Sequence, residues 1–175
     1  MTAFQTFTAG QVLTAAQMTT LQANSLKVAI FQEQQPAGTN GGNVTAGAWT
    51  KRTLNTTVIN NITGCSISSS VITLTAGTYM VRSSIPAYNT NGFGSRLRNT
   101  TAGTSIVRGT ALLADDRFQE EVVVTLDGIF TLTGSTTIEL QYYASNNYNA
   151  NSGGVAFSQG DGNEIYAQIL IQQVA

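Results

Sequence analysis

Residues 164–173 read Glu-Ile-Tyr-Ala-Gln-Ile-Leu-Ile-Gln-Gln, and the two-residue period of a strand sorts them into two faces. Ile165, Ala167, Ile169 and Ile171 share one face, which is core; Tyr166, Gln168, Leu170 and Gln172 share the other, which is not plainly solvent. The same split recurs upstream. Val122, Val124 and Leu126 alternate with Glu121, Val123 and Thr125, and Ile138, Leu140 and Tyr142 alternate with Glu139, Gln141 and Tyr143. Outer faces carrying Val123, Tyr143, Tyr166 and Leu170 predict a partly apolar surface buried between subunits. The monomeric alternative is that these are scattered surface apolar residues, which are common.

Working outward, further β segments lie near 27–34, 49–54, 56–62, 66–74, 78–87, 93–100, 104–112 and 119–133. Nearly all are rich in Val, Ile, Thr or an aromatic residue, and Gly, Asn and Ser clusters separate them. With 136–144 and 164–173 they make ten short strands without an internal repeat. That pattern predicts an all-β, antiparallel two-sheet sandwich or jelly roll. A length of 175 residues fits one domain with a short appendage: an arm at 1–25 and a head at 26–175.

Composition narrows the chemistry. Charged residues are 10% of the chain, against ~25% in a typical domain. Histidine is absent and cysteine occurs once, so Ser-His-Asp and Cys-His sites, His-ligated metals and paired-cysteine zinc or redox motifs are excluded. A net charge of −1 offers no basic field for nucleic acid, and no apolar run approaches the ~20 residues that span a bilayer. The opening Met-Thr-Ala-Phe has neither a cationic nor an apolar signal region, so synthesis in a cytoplasm is expected. The Asn-x-Thr sequons at Asn43, Asn55, Asn61 and Asn99 then read as chance.

The first charged side chain is Lys27. A segment left in water is normally polar and charged, whereas this arm carries Phe4, Phe7, Val12, Leu13, Met18 and Leu21, the residues expected to dock it on a partner surface. Thr14 and Gln17 form a capping box, and Leu13 with Met18 a hydrophobic staple, for a helix from about Ala15 to Asn24. So short a helix is marginal alone. It needs other copies of the chain, a larger assembly or, in the plainer alternative, its own domain to pack on.

Two clusters invite chemistry and neither earns it. The acids of Asp115–Glu121 would alternate faces on a strand and show no paired-carboxylate cleft; they fit better as ion-pair partners of Arg82, Arg96, Arg98 or Arg108. Gly160-Asp-Gly-Asn-Glu164 lacks the spacing of a calcium loop and reads as a turn into the last strand. Cys65 reads as a reduced, small residue. No catalytic residue, metal site or cofactor is expected. The recognition surface instead looks uncharged: Asn146, Asn147, Asn149 and Asn151 surround Tyr148, and Tyr88, Asn89, Asn91 and Phe93 repeat the combination. Rigid rings with adaptable amides make versatile binding loops and suit sugars, while ordinary turn chemistry explains the same residues without a ligand.

The runs VAIFQEQQPAGTNGGNVTAGAWTKRTLNT (28–56), LTAGTYMVRSSIPAYNTNGFGSRLRNTT (74–101) and EIYAQILIQQVA (164–175) resemble the C1q/TNF-like jelly-roll heads of tailed-phage fibres and related virion proteins. TFTAGQVLTAAQMTTLQ (6–22) resembles the N-terminal segments of phage tail- and head-fibre proteins. The resemblance implies a ten-stranded jelly roll assembling as a homotrimer with its arms at one end. It further implies a non-enzymatic virion component, docked to a tail, vertex or major capsid protein, whose head projects to touch host glycans. The rival reading is a capsid cement or decoration protein that binds no receptor; the absence of a shaft between arm and head leans that way.

Overall fold

The computed structural model describes residues 8–23, 27–113, 121–146, 151–158, 160 and 162–174. One helix, α1 (Ala15–Ala23), precedes eleven strands: β1 (Lys27–Gln35), β2 (Trp49–Lys51), β3 (Thr56–Asn60), β4 (Ser66–Ser68), β5 (Val71–Leu74), β6 (Gly77–Tyr88), β7 (Gly92–Asn99), β8 (Thr104–Leu113), β9 (Glu121–Leu132), β10 (Thr136–Ala144) and β11 (Glu164–Gln173). Two antiparallel sheets result. The first runs β3-β1-β11-β6-β9 and the second β4-β5-β10-β7-β8, with β2 also paired to β10. This is the jelly-roll sandwich expected from the strand pattern.

Alternating side chains from both sheets fill the space between them. Phe31, Val81, Ile85, Leu126, Ile169 and Ile171 come from the first sheet; Ile72, Leu74, Leu97, Ile138 and Leu140 come from the second, all essentially inaccessible. Leaving a buried Leu or Ile out of water rather than in it stabilises by ~1.5–3 kcal/mol, so two such layers suffice to hold the sheets together.

Two local departures from strict alternation matter. The segment read as one strand at 66–74 is a hairpin, because Ser69 and Ser70 both adopt left-handed backbone, with φ of 49° and 62°. Asn or Gly is the usual signature of that turn, so two serines concealed it. In β11 the register against β1 slips between Gln32, opposite Gln168, and Gln34, opposite Ile165. Tyr166 and Ala167 therefore share the single partner position of Glu33, and a one-residue slip exchanges faces. Ile165, expected in the core, is 55% exposed, and Tyr166, expected outside, is 8% exposed. The Tyr166 hydroxyl donates to the Thr39 carbonyl at 2.7 Å.

The same bulge brackets a buried ion pair. Glu33 and Arg52 are 2% and 1% exposed, with Arg52 Nε 2.6 Å from Glu33 Oε2. Arg52 Nη2 donates to the Gly153 carbonyl at 2.6 Å, and its guanidinium lies 5.1 Å from the Tyr142 ring centre. Burial raises the Glu33 carboxyl above its ordinary range, and Arg52 opposes that rise.

The capping box is in place: the Thr14 amide donates to Gln17 Oε1 at 2.9 Å and the Gln17 amide to Thr14 Oγ1 at 3.2 Å. Val12, Leu13 and Met18 are nevertheless exposed, Val12 at 86%. Phe4 and Phe7 lie outside the described residues, as do Asp115–Glu120. No helix among the described residues is long and apolar enough to cross a membrane.

Candidate functional site

Loop residues 38–46, 88–92, 145–146 and 151–154 knit together at one end of the sandwich. The Tyr88 amide donates to the Ser152 carbonyl, the Asn146 amide to Thr90 and the Gly41 amide to Gly154. The two aromatic and amide loops singled out in the sequence are thus neighbours. Their side chains divide differently from expectation, however. Phe93 is buried, its ring 5.7 Å from that of Tyr142, and Asn89 is buried as well. Asn89 and Asn91 have φ of 52° and 57°, a conformation Asn tolerates better than most residues, so turn chemistry accounts for both. Tyr88, Asn91, Asn146 and Asn151 are half-buried; Asn147, Tyr148 and Asn149 lie outside the described residues.

The four interface candidates separate in the same way. Val123 is exposed and Leu170 half-buried on the outer face of the first sheet. Tyr143 sits on the outer face of the second sheet, and Tyr166 packs inside the protomer.

Around Tyr143 the outer face of the second sheet forms an open trough of ≈ 330 Å³. Strand register builds it. Trp49, Tyr143, Gly94 and Ala111 lie in one row across β2, β10, β7 and β8, and Lys51, Gln141, Arg96 and Arg108 in the next outward-facing row. The Trp49 and Tyr143 rings meet at 5.6 Å and 50°, forming one wall. Gly92, Gly94 and Ala111 leave the floor bare; a Cβ on Gly94 would meet nothing closer than Ala111 Cβ at 3.8 Å.

Arg108 lines one end of the trough, and further cations lie beside it. Arg96 lies over Trp49, its Cζ 4.2 Å from the ring centre, within the ~6 Å range of a cation–π contact. Its Nε donates to Gln141 Oε1 at 2.8 Å and Nη1 to Ser105 Oγ at 3.4 Å, both neutral partners. Burial, then the neighbouring Arg98 and Arg108, lowers its pKa, with Glu139 opposing. Arg98 Nε is buried without a hydrogen-bond partner among the described residues. Glu139, opposite Arg98 in the following row, is the one acid among the described residues of this face to offset Lys51, Arg96, Arg98 and Arg108, and it also accepts from Gln141 Nε2 at 2.7 Å. Among the described residues the ion pairs are Arg52–Glu33 and Arg82–Asp127, so none of these four cations has a carboxylate in contact.

In the sequence Trp49 stands out only as part of the 28–56 run, and the arginines only as ion-pair partners. The period of β7 held the signal: Gly92, Gly94, Arg96 and Arg98 share one face, bare at one end and cationic at the other. Glu164, read as part of a turn, anchors that turn: its Oε1 accepts from the Ser158 and Gly38 amides at 2.7 and 3.3 Å, which lowers its pKa. No group of three or more metal-ligating side chains occurs among the described residues.

No family model matches the chain, and no curated protein matches its sequence. Solved structures do match. The globular domain of zebrafish complement 1qA protein superposes with a TM-score of 0.57 at 13% identity, over 86% of this chain and 98% of that one. The PRD1 vertex protein P5 gives 0.52 at 15%, over 85% and 97%. Eiger TNF from S. frugiperda gives 0.55 at 11%, over 86% and 93%. The head is a C1q/TNF-like jelly roll, as the sequence resemblance implied; at these identities the fold is what is shared.

Proposed function

We propose that this protein is a non-enzymatic structural component of a tailed-phage particle, a homotrimer whose arm (1–25) docks on the particle and whose head holds a host-surface glycan. The arm carries the argument. Its helix is capped by its own side chains, yet Val12 and Met18 stand 86% and 54% exposed on a segment with no charge before Lys27. A helix that short, with Met18 uncovered, gains its stability from packing on something else. A vertex protein among the structures sharing the fold supports a particle component, and the aromatic trough supports a glycan on the head.

Deleting residues 1–25 leaves a folded trimer that no longer enters particles; normal incorporation of the truncated chain overturns the docking role. One observation favours the decoration reading: α1 ends at Ala23 and β1 begins at Lys27, which leaves no length of chain for a shaft between arm and head. Copy number decides, since hundreds per particle mean decoration and a few mean a fibre or spike.

A further inference from the structure

We infer that the trough of the second sheet binds a carboxylate-bearing sugar, of the uronic or sialic acid type, and discriminates against the neutral analogue. The inference deepens the glycan-binding reading of the head and rests on it. Three features converge on this ligand. Its volume of ≈ 330 Å³ lies at the small-ligand end of the ~300–1,000 Å³ usual for such sites. The tilted Trp49 and Tyr143 rings offer apolar faces to the C–H side of a pyranose, and the bare Gly92–Gly94 floor lets the ring approach the backbone.

The third feature selects the charge. Among the described residues, four of the chain's eight basic residues share this face with a single acid, in a protein whose net charge is −1. Placing Arg96 opposite Arg108, and next to Arg98 on the same face, is unfavourable unless an anion joins them. Arg108 lines the trough itself, and the planar fork of a guanidinium matches a carboxylate in two parallel hydrogen bonds. Seated with its ring on Trp49 and Tyr143, a uronic acid presents its carboxylate to Arg108, with Arg96 adding its charge from above the tryptophan.

Trp49 is the only tryptophan in the chain, so its fluorescence reports the trough alone. The purified full-length protein is titrated with digalacturonate and, in parallel, with neutral galactobiose. The expected result is a saturable change with digalacturonate that weakens in high salt, and none with galactobiose at the same concentration. Arg108→Gln weakens digalacturonate by about tenfold or more. Gly94→Val fills the floor and abolishes the response while the circular dichroism spectrum is unchanged. Equal responses to the two sugars, no response to digalacturonate, or wild-type affinity in Gly94→Val overturns the inference. Equal responses leave glycan binding by the head in place and remove only the selectivity for the carboxylate, whereas no response to either sugar removes both.

Discussion

Replacing Arg52 with methionine strips the counter-charge from Glu33 while keeping most of the side-chain volume. Both partners are nearly inaccessible and 2.6 Å apart, so the variant leaves a buried carboxylate uncompensated, a change that costs about 3–5 kcal/mol. For a chain of this length each kcal/mol moves the melting temperature by ~2–4 °C, so Arg52→Met melts about 6–20 °C below wild type at pH 7 and fixed protein concentration. The pH dependence carries a sign. Burial already raises the Glu33 pKa against the pull of Arg52, and without Arg52 it rises further. A carboxyl whose native pKa exceeds its unfolded value binds the proton better when folded, so stability falls as pH rises between the two values. Arg52→Met therefore recovers part of its deficit as pH falls from 7 toward 4.5, the ordinary value, and gains nothing from this group below it. Glu33→Leu with Arg52→Met removes both charges and melts well above the single variant, since apolar replacements of buried pairs are often neutral. Thermal melts followed by circular dichroism at pH 7 and pH 5 check all three points. A single variant within 2 °C of wild type, a deficit equal at both pH values, or a double variant as damaged as the single refutes the reasoning.

Two further outcomes are expected. Gly154→Ala places a Cβ 2.5 Å from the Tyr166 ring at φ of +124°, combining overpacking with backbone strain for a loss above ~2 kcal/mol; Gly103→Ala, at φ of +72° in open space, loses only ~1 kcal/mol, and paired melts separate them. Burial pushes the Cys65 thiol up to about 11 from 9.0, so its thiolate fraction at pH 8 drops roughly 100-fold, and iodoacetamide labels the native protein that much more slowly than the unfolded one.

The sandwich was legible because its signal is local. Val124 and Leu126, or Ile138 and Leu140, declare a buried face by spacing alone, and Thr14 with Gln17 declares a helix start. What escaped depends on contacts remote in sequence. Tyr166 and Ile165 exchange faces through a bulge fixed by β1, and nothing in the last strand records it. Phe93 reads as a loop aromatic until Gly92 and Gly94 place it on the inward side of β7. Glu33 and Arg52 look like ordinary surface charges, since only the closed fold removes water from both. The trough was half visible: the small and cationic residues of β7 alternate in plain sequence, but the register that sets Trp49 and Tyr143 beside them belongs to the sheet.

The two outer faces also differ in what can cover them. Across the first sheet, Ile59, Ile30, Leu170, Arg82 and Asp127 form one row and Val28, Gln172, Met80 and Ile129 the next. The only charges in these rows neutralise each other, Arg82 Nε lying 2.8 Å from Asp127 Oδ1. Exposed as they are, at 77% and 55%, such a pair contributes ~0–1 kcal/mol, but it lets another copy of the chain cover this face without stranding a charge. The second sheet, with four cations against one acid among the described residues, carries a steep desolvation penalty if covered. Association of subunits through the first sheet thus leaves the trough facing outward. Leu170→Glu, which buries a lone carboxylate in that interface, converts the proposed trimer to monomer in sedimentation velocity. Tyr143→Glu leaves the trimer intact and abolishes digalacturonate binding. Dissociation caused by Tyr143→Glu, or a Leu170→Glu trimer, places the interface elsewhere.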